Sequence, residues 1–481
     1  MKRLLATISI FLLPLYNVRA EMGPMPGEER FASSMPQGQQ TIGAALGFTQ
    51  IGEDNFLQLT LKSELNLGPV GLGLQVPLRL RMPPDDKAND YYGIIRREDW
   101  DQKSEFLQVI RYVRLGHKRD NFYLRVGELA ADIGHGTIVK GYINNLDAAT
   151  FRVGSTFDVN TDYGGIETLI SDLGSIYDSS NTRSRIFGTR AYFKPLVLVD
   201  PSGLLNILAV GFSLVSDVNA PAIYKMADTS GQSGSSVTAT PLVKNGAYVV
   251  EQSIKASVYG FDLEVQALHT AIIDLIPYTD LNFINQAGWG WHLGVLTTLK
   301  MPIGFSLTIP IRLEYRRFAS DYLPAYFNSF YEIERFSYKF DNKAAPKVVT
   351  VRNLPSGKGI NGFLGELAFD FVGLFQIGAS YEAYQGSYPN LQVFLSVPAL
   401  EVVQFKAFYA RTNIENTEDI FKLDNRSYAV AQARYQLVTY TYLVGRITQQ
   451  WELNTDPNSR NYGKYESKRE WNVGIEIAVT L

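Results

Sequence analysis

The 481-residue chain contains no cysteine. That excludes a disulfide framework and every thiolate-ligated metal site. A lipoprotein leader, which needs a cysteine after it, is excluded too. Histidine is scarce at four residues, so imidazole-built metal or catalytic centres have little to draw on. Beyond the first twenty residues, no stretch supplies the 18 or so consecutive apolar side chains of a spanning helix. An excess of one charge is missing as well, since 45 Lys and Arg face 48 Asp and Glu for a net charge of −3. Nucleic acid wants a basic face and is not an expected partner. No cofactor-binding motif is recognisable, and no cofactor is expected.

What is present begins with an export signal. Lys2 and Arg3 precede an apolar run from Leu4 to Tyr16, and Val18-Arg19-Ala20 offers small residues at the usual cleavage positions. Residues 1–20 read as a secretory signal peptide, with the mature chain starting at Glu21. Loss of Lys2, Arg3 and Arg19 takes the formal charge from −3 to −6. Residues 21–40 are polar and rich in Pro, Gly and Ser, a flexible lead-in. From 41 to 481 the dominant pattern is alternation. At the C-terminus Trp471, Val473, Ile475, Ile477, Val479 and Leu481 fall on one strand face, and Asn472, Gly474, Glu476, Ala478 and Thr480 on the other. The 28 Tyr and 27 Phe suit strands, and they also suit aromatic girdles at a membrane interface.

Alternation of this kind defines strands near 41–51, 56–67, 70–82, 105–116, 121–129, 150–160, 163–171, 184–194, 205–216 and 250–269. Ten more follow near 275–283, 290–300, 303–317, 360–372, 373–386, 389–398, 401–413, 427–437, 440–452 and 469–481. Connections after even-numbered strands are short, as at Gly68-Pro69, Thr161-Asp162 and Met301-Pro302. The long ones, near 83–104, 130–149, 172–183, 217–249, 318–359, 414–426 and 453–468, follow odd-numbered strands. A soluble sandwich has no reason to sort its loops by parity. An outer-membrane barrel does, with short periplasmic turns, long extracellular loops and both chain ends in the periplasm. The expected fold is therefore all-β, a transmembrane antiparallel β-barrel of about 20 strands within a range of 16–22, its last strand pairing with its first. Pro77 and Pro310 interrupt otherwise clean strands, where bulges would accommodate them. The apolar positions change phase from Ile254, Ala256 and Val258 to Tyr259, Phe261, Leu263 and Val265, which predicts a bulge near Gly260 or a tight turn that adds strands.

A barrel this wide is not filled by its own wall side chains, so its lumen holds water, inserted loops or both. The polar strand face places Lys62, Glu64, Arg79, Arg81, Asp262, Glu264, Arg312, Glu314, Glu382 and Glu476 in that lumen. On the lipid face a Lys or Arg near the midplane would cost about 2–4 kcal/mol. Both signs occur, so no sharp ion selectivity is expected. The segment 130–145, AADIGHGTIVKGYINN, is glycine-rich and short on charge; it is a candidate constriction loop carrying Asp132, His135 and Lys140. Asp132 and His135 resemble a base arrangement, yet no serine nucleophile lies at a recognisable spacing, and a structural role outweighs catalysis. The segment 321–340 interleaves Tyr326, Phe327 and Tyr331 with Glu332, Glu334 and Arg335. These residues are a candidate stacking surface for sugars or lipid head groups, weighed against a packing role that closes a loop.

The G-H-G-T run at 134–137 and Y-L-P-A-Y-F-N-S-F-Y-E-I-E-R at 322–335 resemble segments of uncharacterised, predicted porin-like outer-membrane barrels of Gram-negative bacteria, myxobacterial and spirochaetal types among them. The resemblance implies a barrel and an outer-membrane location and carries over no functional residue. Expected partners are outer-membrane lipid, lipopolysaccharide and the barrel assembly machinery acting on residues 471–481. The usual assembly signal ends in Phe or Trp, whereas this chain ends in Leu481. The leading functional expectation is a non-enzymatic channel for small solutes or amphiphiles. A plugged structural or adhesion barrel and an outer-membrane hydrolase are the alternatives.

Overall fold

The structure is a computed structural model. It describes residues 40–480 apart from 52–53, 102–104, 119, 146–151, 177–182, 201–206, 227–240, 245–246, 303–305, 339–344, 372–373, 398–401, 425, 455–458 and 460. The expected signal peptide and nearly all of the lead-in lie outside the described residues.

Twenty antiparallel strands close into one barrel, with Leu268–His269 adding a two-residue ladder at a turn. They are β1 (Gln40–Ile51), β2 (Asp54–Leu67), β3 (Val70–Arg81), β4 (Ile110–Leu115), β5 (Phe122–Gly127), β6 (Gly154–Asn160) and β7 (Gly164–Ile170). Then come β8 (Ile186–Phe193), β9 (Leu208–Tyr224), β10 (Val250–Val265), β11 (Ile273–Ile284), β12 (Trp289–Pro302), β13 (Ser306–Phe318) and β14 (Ile360–Phe371). The last six are β15 (Phe375–Tyr384), β16 (Asn390–Val397), β17 (Val403–Arg411), β18 (Ser427–Val438), β19 (Thr441–Leu453) and β20 (Tyr465–Thr480). Each strand pairs with its sequence neighbours, and β20 pairs with β1 from Thr41↔Thr480 to Ile51↔Glu470. Closure gives every strand of the barrel two neighbours, the condition for holding a sheet in lipid, although β3 extends beyond the end of its ladder to β4. Among the described residues no helix is long and apolar enough to cross a membrane.

Alternation explains the two faces. Ile42, Leu46, Phe48, Leu61, Leu313, Phe363, Ile475 and Ile477 are exposed on the outside. The intervening positions point inward and are polar in the half of the lumen near the short turns. Loops sort by parity with one exception. Connections at 82–109, 128–153, 171–185, 225–249, 319–359, 412–426 and 454–464 leave odd strands, but 194–207, after β8, is long and lies on the short-turn rim. There Pro195–Leu198 forms a 3-10 turn with Leu198 and Val199 exposed.

Three sequence expectations need correction. No bulge or extra turn occurs at Gly260: β10 keeps register through Gly260↔Ser213 and Gly260↔Asn282. The apparent phase change arises because Ala256 and Val258 face inward onto buried loops, whereas Tyr259, Phe261 and Leu263 face outward. The irregularities fall instead in β9, between Asp217 and Tyr224. No bulge accommodates Pro77, which pairs with Thr60 in unbroken register. Its side towards β4 lies above the last β3–β4 pair, Leu74↔Ile110, so no ladder donor is lost there. At Pro310 the β13–β14 ladder is interrupted between Thr308↔Asp370 and Ile311↔Leu367, with the same register on both sides.

Candidate functional site

After Gly127 the chain leaves the wall and turns into the lumen as a hairpin, Ala130–Ile133 against Val139–Ile143. Its turn needs left-handed backbone at Gly134 (φ 55°) and Gly136 (φ 70°), which is why His135 is flanked by glycine. Phe327–Asn328 adds a parallel third strand through Phe327↔Val139 and Asn328↔Lys140. This inner sheet is separate from the wall and hangs on side-chain contacts.

Apolar contacts anchor the half near the long loops. Ile133, Ile138, Val139, Tyr142, Tyr326, Phe327 and Tyr331 pack with wall residues Leu169, Val215, Ala256, Val258 and Phe318. Phe330, Ile333 and Phe336 reach the other side, meeting Phe394, Phe408, Val430 and Trp451 of β16 to β19. Three acids pin this packing. Glu332, fully buried, accepts from Tyr142 Oη and from Ser184 Oγ at 2.7 Å, with Arg152 Nε at 3.4 Å. Asp217 accepts from Tyr331 Oη at 3.0 Å and Arg335 Nε at 3.2 Å. Glu334 pairs with Lys347 Nζ. The segment 326–335 therefore offers no exposed stacking surface to a sugar or head group: Tyr326, Phe327, Tyr331, Glu332, Glu334 and Arg335 are all buried. These side chains fill the interior because a wide barrel leaves space that only inserted apolar loops can take from water.

Ionic contacts anchor the hairpin turn. His135 lies between two wall carboxylates, Nδ1 2.7 Å from Asp280 and Nε2 2.8 Å from Glu264, with its ring stacked on Tyr278 at 4.1 Å. Thr137 Oγ1 donates to Asp280 at 2.6 Å, and Gly134 N donates to Glu167 at 3.0 Å. Burial alone would lower the His135 pKa, but Asp280 and Glu264 outweigh it and hold the imidazole pushed up to about 10. With both nitrogens donating to acids, the ring has no lone pair with which to act as a base towards a nucleophile. Lys140 reaches the opposite wall, 3.0 Å from Glu366 and 3.0 Å from Ser380 Oγ. Asp132 accepts from Gly141 N within the hairpin at 2.6 Å. The hairpin thus spans the lumen from β7, β10 and β11 to β14 and β15.

The wall charges named from the sequence form linked networks. Asp262 binds Arg190 through two hydrogen bonds of 3.0 and 2.6 Å, and Glu167 holds a third Arg190 nitrogen at 2.9 Å. Glu314 pairs with Arg312 and Arg316, and Arg316 continues to Glu382 at 3.1 Å. On the far side Lys62 meets Glu476 at 3.2 Å, and Arg434 meets it at 2.8 Å. Arg79 and Arg81, at the outer end of β3, bind Asp99 and Asp54 at 2.8 Å each. The Glu64 side chain lies outside what is described. Several partners escaped the sequence reading, among them Glu167, Arg190, Asp280, Glu366, Arg434 and Arg446. Asp280 and Arg190 alternate with outward apolar residues and were findable by parity. Arg434 and Arg446 sit where inward Tyr442 and Val444 blur the polar face. Among the described residues no group of three or more His, Cys, Asp or Glu side chains could hold a metal ion.

The networks are unevenly distributed. Around β6 to β11 the lumen carries Asp158, Glu167, Asp262, Glu264 and Asp280 against Lys118, Arg190 and His135. Around β17 to β3 it carries Lys406, Arg434, Arg446, Lys62 and Arg79 against Asp99, Glu470 and Glu476. Arg446 faces inward, between outward Leu443 and Ile447, and is nevertheless exposed to solvent; Lys62 has a 37% exposed side chain.

No protein-family model matches this chain, and no curated protein matches it. Solved barrels align along most of its length at low similarity. OccK11 (OpdR) of Pseudomonas aeruginosa is 12% identical, with 92% of this chain and 96% of that one covered at a TM-score of 0.32. The siderophore receptor PirA of Pseudomonas aeruginosa is 9% identical, covering 93% and 81% at 0.32. Wzi of Escherichia coli, an outer-membrane protein involved in group 1 capsule assembly and a carbohydrate-binding β-barrel, is 11% identical, covering 92% and 85% at 0.34. Scores this low carry no function across.

Proposed function

We propose that the protein is a channel of the bacterial outer membrane, with a lumen narrowed by its own inward loops, that passes small solutes or amphiphiles. The observation that supports this most is the water-exposed, inward-facing pair Arg446 and Lys62. These two side chains face solvent inside the barrel on the β18–β2 side, while the hairpin and residues 326–336 occupy the rest. The remaining space is lined on that side by Lys62 and Arg446 beside Glu476, while the acids of β6 to β11 are held by Lys118, Arg190 and the hairpin's His135. Lipid and lipopolysaccharide are the proposed surroundings of the outer apolar belt, and the barrel assembly machinery the proposed partner of β20. The resemblance to myxobacterial and spirochaetal barrels rests on the two quoted segments alone.

A second reading is favoured by the depth of the packed loops: a barrel sealed for a structural or adhesive role. Planar-bilayer recording of detergent-folded protein separates the two. Steps of ionic current are expected; folded, heat-modifiable protein that inserts without current would overturn the channel and leave the sealed barrel.

A further inference from the structure

The wall is not equally tall all round. Strands β4 and β5 have 6 residues each and β6 and β7 have 7, against 12 to 14 in β1 to β3. A strand crossing a bilayer needs about 9–11 tilted residues. At about 3.3 Å per residue and a tilt near 40°, the low sector is roughly 15–18 Å tall against an apolar belt of about 25 Å. At its edge β3 rises alone. Its ladder to β4 covers only Val70↔Leu115 to Leu74↔Ile110 and ends in a register shift, while its ladder to β2 continues to Arg81. Higher up, Arg81 N donates to Ile94 O at 2.7 Å and Arg96 N to Arg79 O at 3.1 Å. Those bonds show that odd-numbered residues of β3 present their backbone to this side.

Between Leu74 and Arg79, then, Gln75 and Pro77 face a seam that no described strand closes. Pro77 has no N–H to offer there, and a proline on a strand edge prevents another strand from pairing. What covers the seam is the 3-10 segment Glu105–Val109, packed against β3, together with the Leu80↔Ile95 bridge. A short 3-10 turn has poor hydrogen-bond geometry and opens at lower cost than a ladder. Outside the seam Phe106 is 58% exposed and meets Trp100 edge-on at 5.6 Å, and Ile94 of the shutter is also exposed. Inside it lie Arg79, already held by Asp99 at 2.8 Å, and Arg111 and Arg125, which sit over the Tyr112 ring at 5.8 and 5.0 Å, with the Arg125 Nη2 atom buried and making no hydrogen bond among the described residues.

We propose that the seam between β3 and β4, shuttered by residues 94–96 and 105–109, is a lateral portal by which an acyl-tailed amphiphile with an anionic head passes between lumen and bilayer. The arginine-rich inner mouth suits a carboxylate or phosphate head, and the apolar outer mouth suits the tail. This rests on the channel reading and names its cargo class.

The absence of native cysteine makes the test clean, since two introduced cysteines have no other thiol in the chain to pair with, and non-reducing gels separate any cross-linked dimer. Leu80→Cys with Ile95→Cys joins bridge partners and locks the shutter; antiparallel partners lie within disulfide reach. Leu59→Cys with Leu78→Cys joins register partners of the β2–β3 ladder and leaves the shutter free. Proteoliposomes carry a diazirine fatty acid or, in a second arm, a diazirine lysophosphatidic acid; light-induced adducts are mapped by mass spectrometry, and conductance is recorded on the same preparation. With the shutter reduced, adducts are expected on inward Tyr112 and Arg125 as well as on lipid-facing Leu115 and Phe122. Oxidation of the 80–95 pair removes the inward adducts at least about tenfold and reduction restores them, while the 59–78 pair changes nothing. The arm that labels identifies the head group. Inward labelling that ignores the lock, or none in either arm despite Leu115 labelling, overturns the portal. A conducting protein without inward adducts overturns the portal alone, and lock-dependent adducts without conductance overturn the channel alone.

Discussion

His135 is gripped by Asp280 and Glu264 on neighbouring strands, so its charge sets how firmly the hairpin turn is held to the wall. Its pKa rises from the ordinary 6.5 to about 10 in the docked hairpin. A raised pKa means that the docked state binds the proton more tightly. The stabilisation is complete below about 6.5, declines above it, and is gone once pH passes about 10. Arg190, Tyr278 and Thr137 also face this site, and none of them replaces the imidazolium between the two acids. Raising the pH from 7 to 10.5 should therefore increase conductance or open-state noise as the hairpin loosens. His135→Gln should show the loosened behaviour already at pH 7 and lack the rise. Identical profiles for the two proteins in planar bilayers would sink this account.

At the scale of the element, the hairpin shares no ladder with the wall, so barrel closure does not depend on it. Replacing residues 131–142 by a short Gly-Ser linker should leave heat-modifiable folding intact and lower the urea midpoint, because Glu332 and the apolar walls lose partners. Conductance should rise several-fold; an unchanged conductance would place the narrowest point elsewhere. Strands were the legible part of the sequence, since a two-residue period marks them wherever one face meets lipid and the other water. Legibility failed where a third environment intruded. In β10 the inward Ala256 and Val258 meet a buried loop, so both faces read as apolar and the pattern mimics a bulge. In β4 and β5 the alternation runs on into a 3-10 turn and a hairpin base, and the strands stop short of where they read. Parity assigns a charge to a face and is silent on its partner. The pairs Lys140–Glu366 and His135–Asp280 join residues far apart in sequence.

At the scale of the whole molecule the decisive contact is between β1 and β20, because a barrel is stable in lipid only when its first and last strands meet. Here the two backbones come unusually close. Gly47 opposes Gly474, and a Cβ on Gly474 would lie 2.5 Å from Leu46 O and 2.7 Å from Gly47 Cα. Those atoms are backbone and cannot swing aside, so the pair of glycines sets how tightly the seam zips. Gly474→Val should force the strands apart and cost about 1–3 kcal/mol by overpacking. The cost falls on closure itself, the step that pairs the first strand with the last. Asn472→Ala, on the same lumen-facing side of β20, removes hydrogen bonds to Thr49 and Gln58 and leaves the backbone approach alone. In detergent refolding the valine variant should yield far less of the fast-migrating, heat-modifiable species than Asn472→Ala, with the deficit growing as urea is added. Equal yields would mean that the closing seam tolerates a side chain at Gly474 and that some other pairing limits closure.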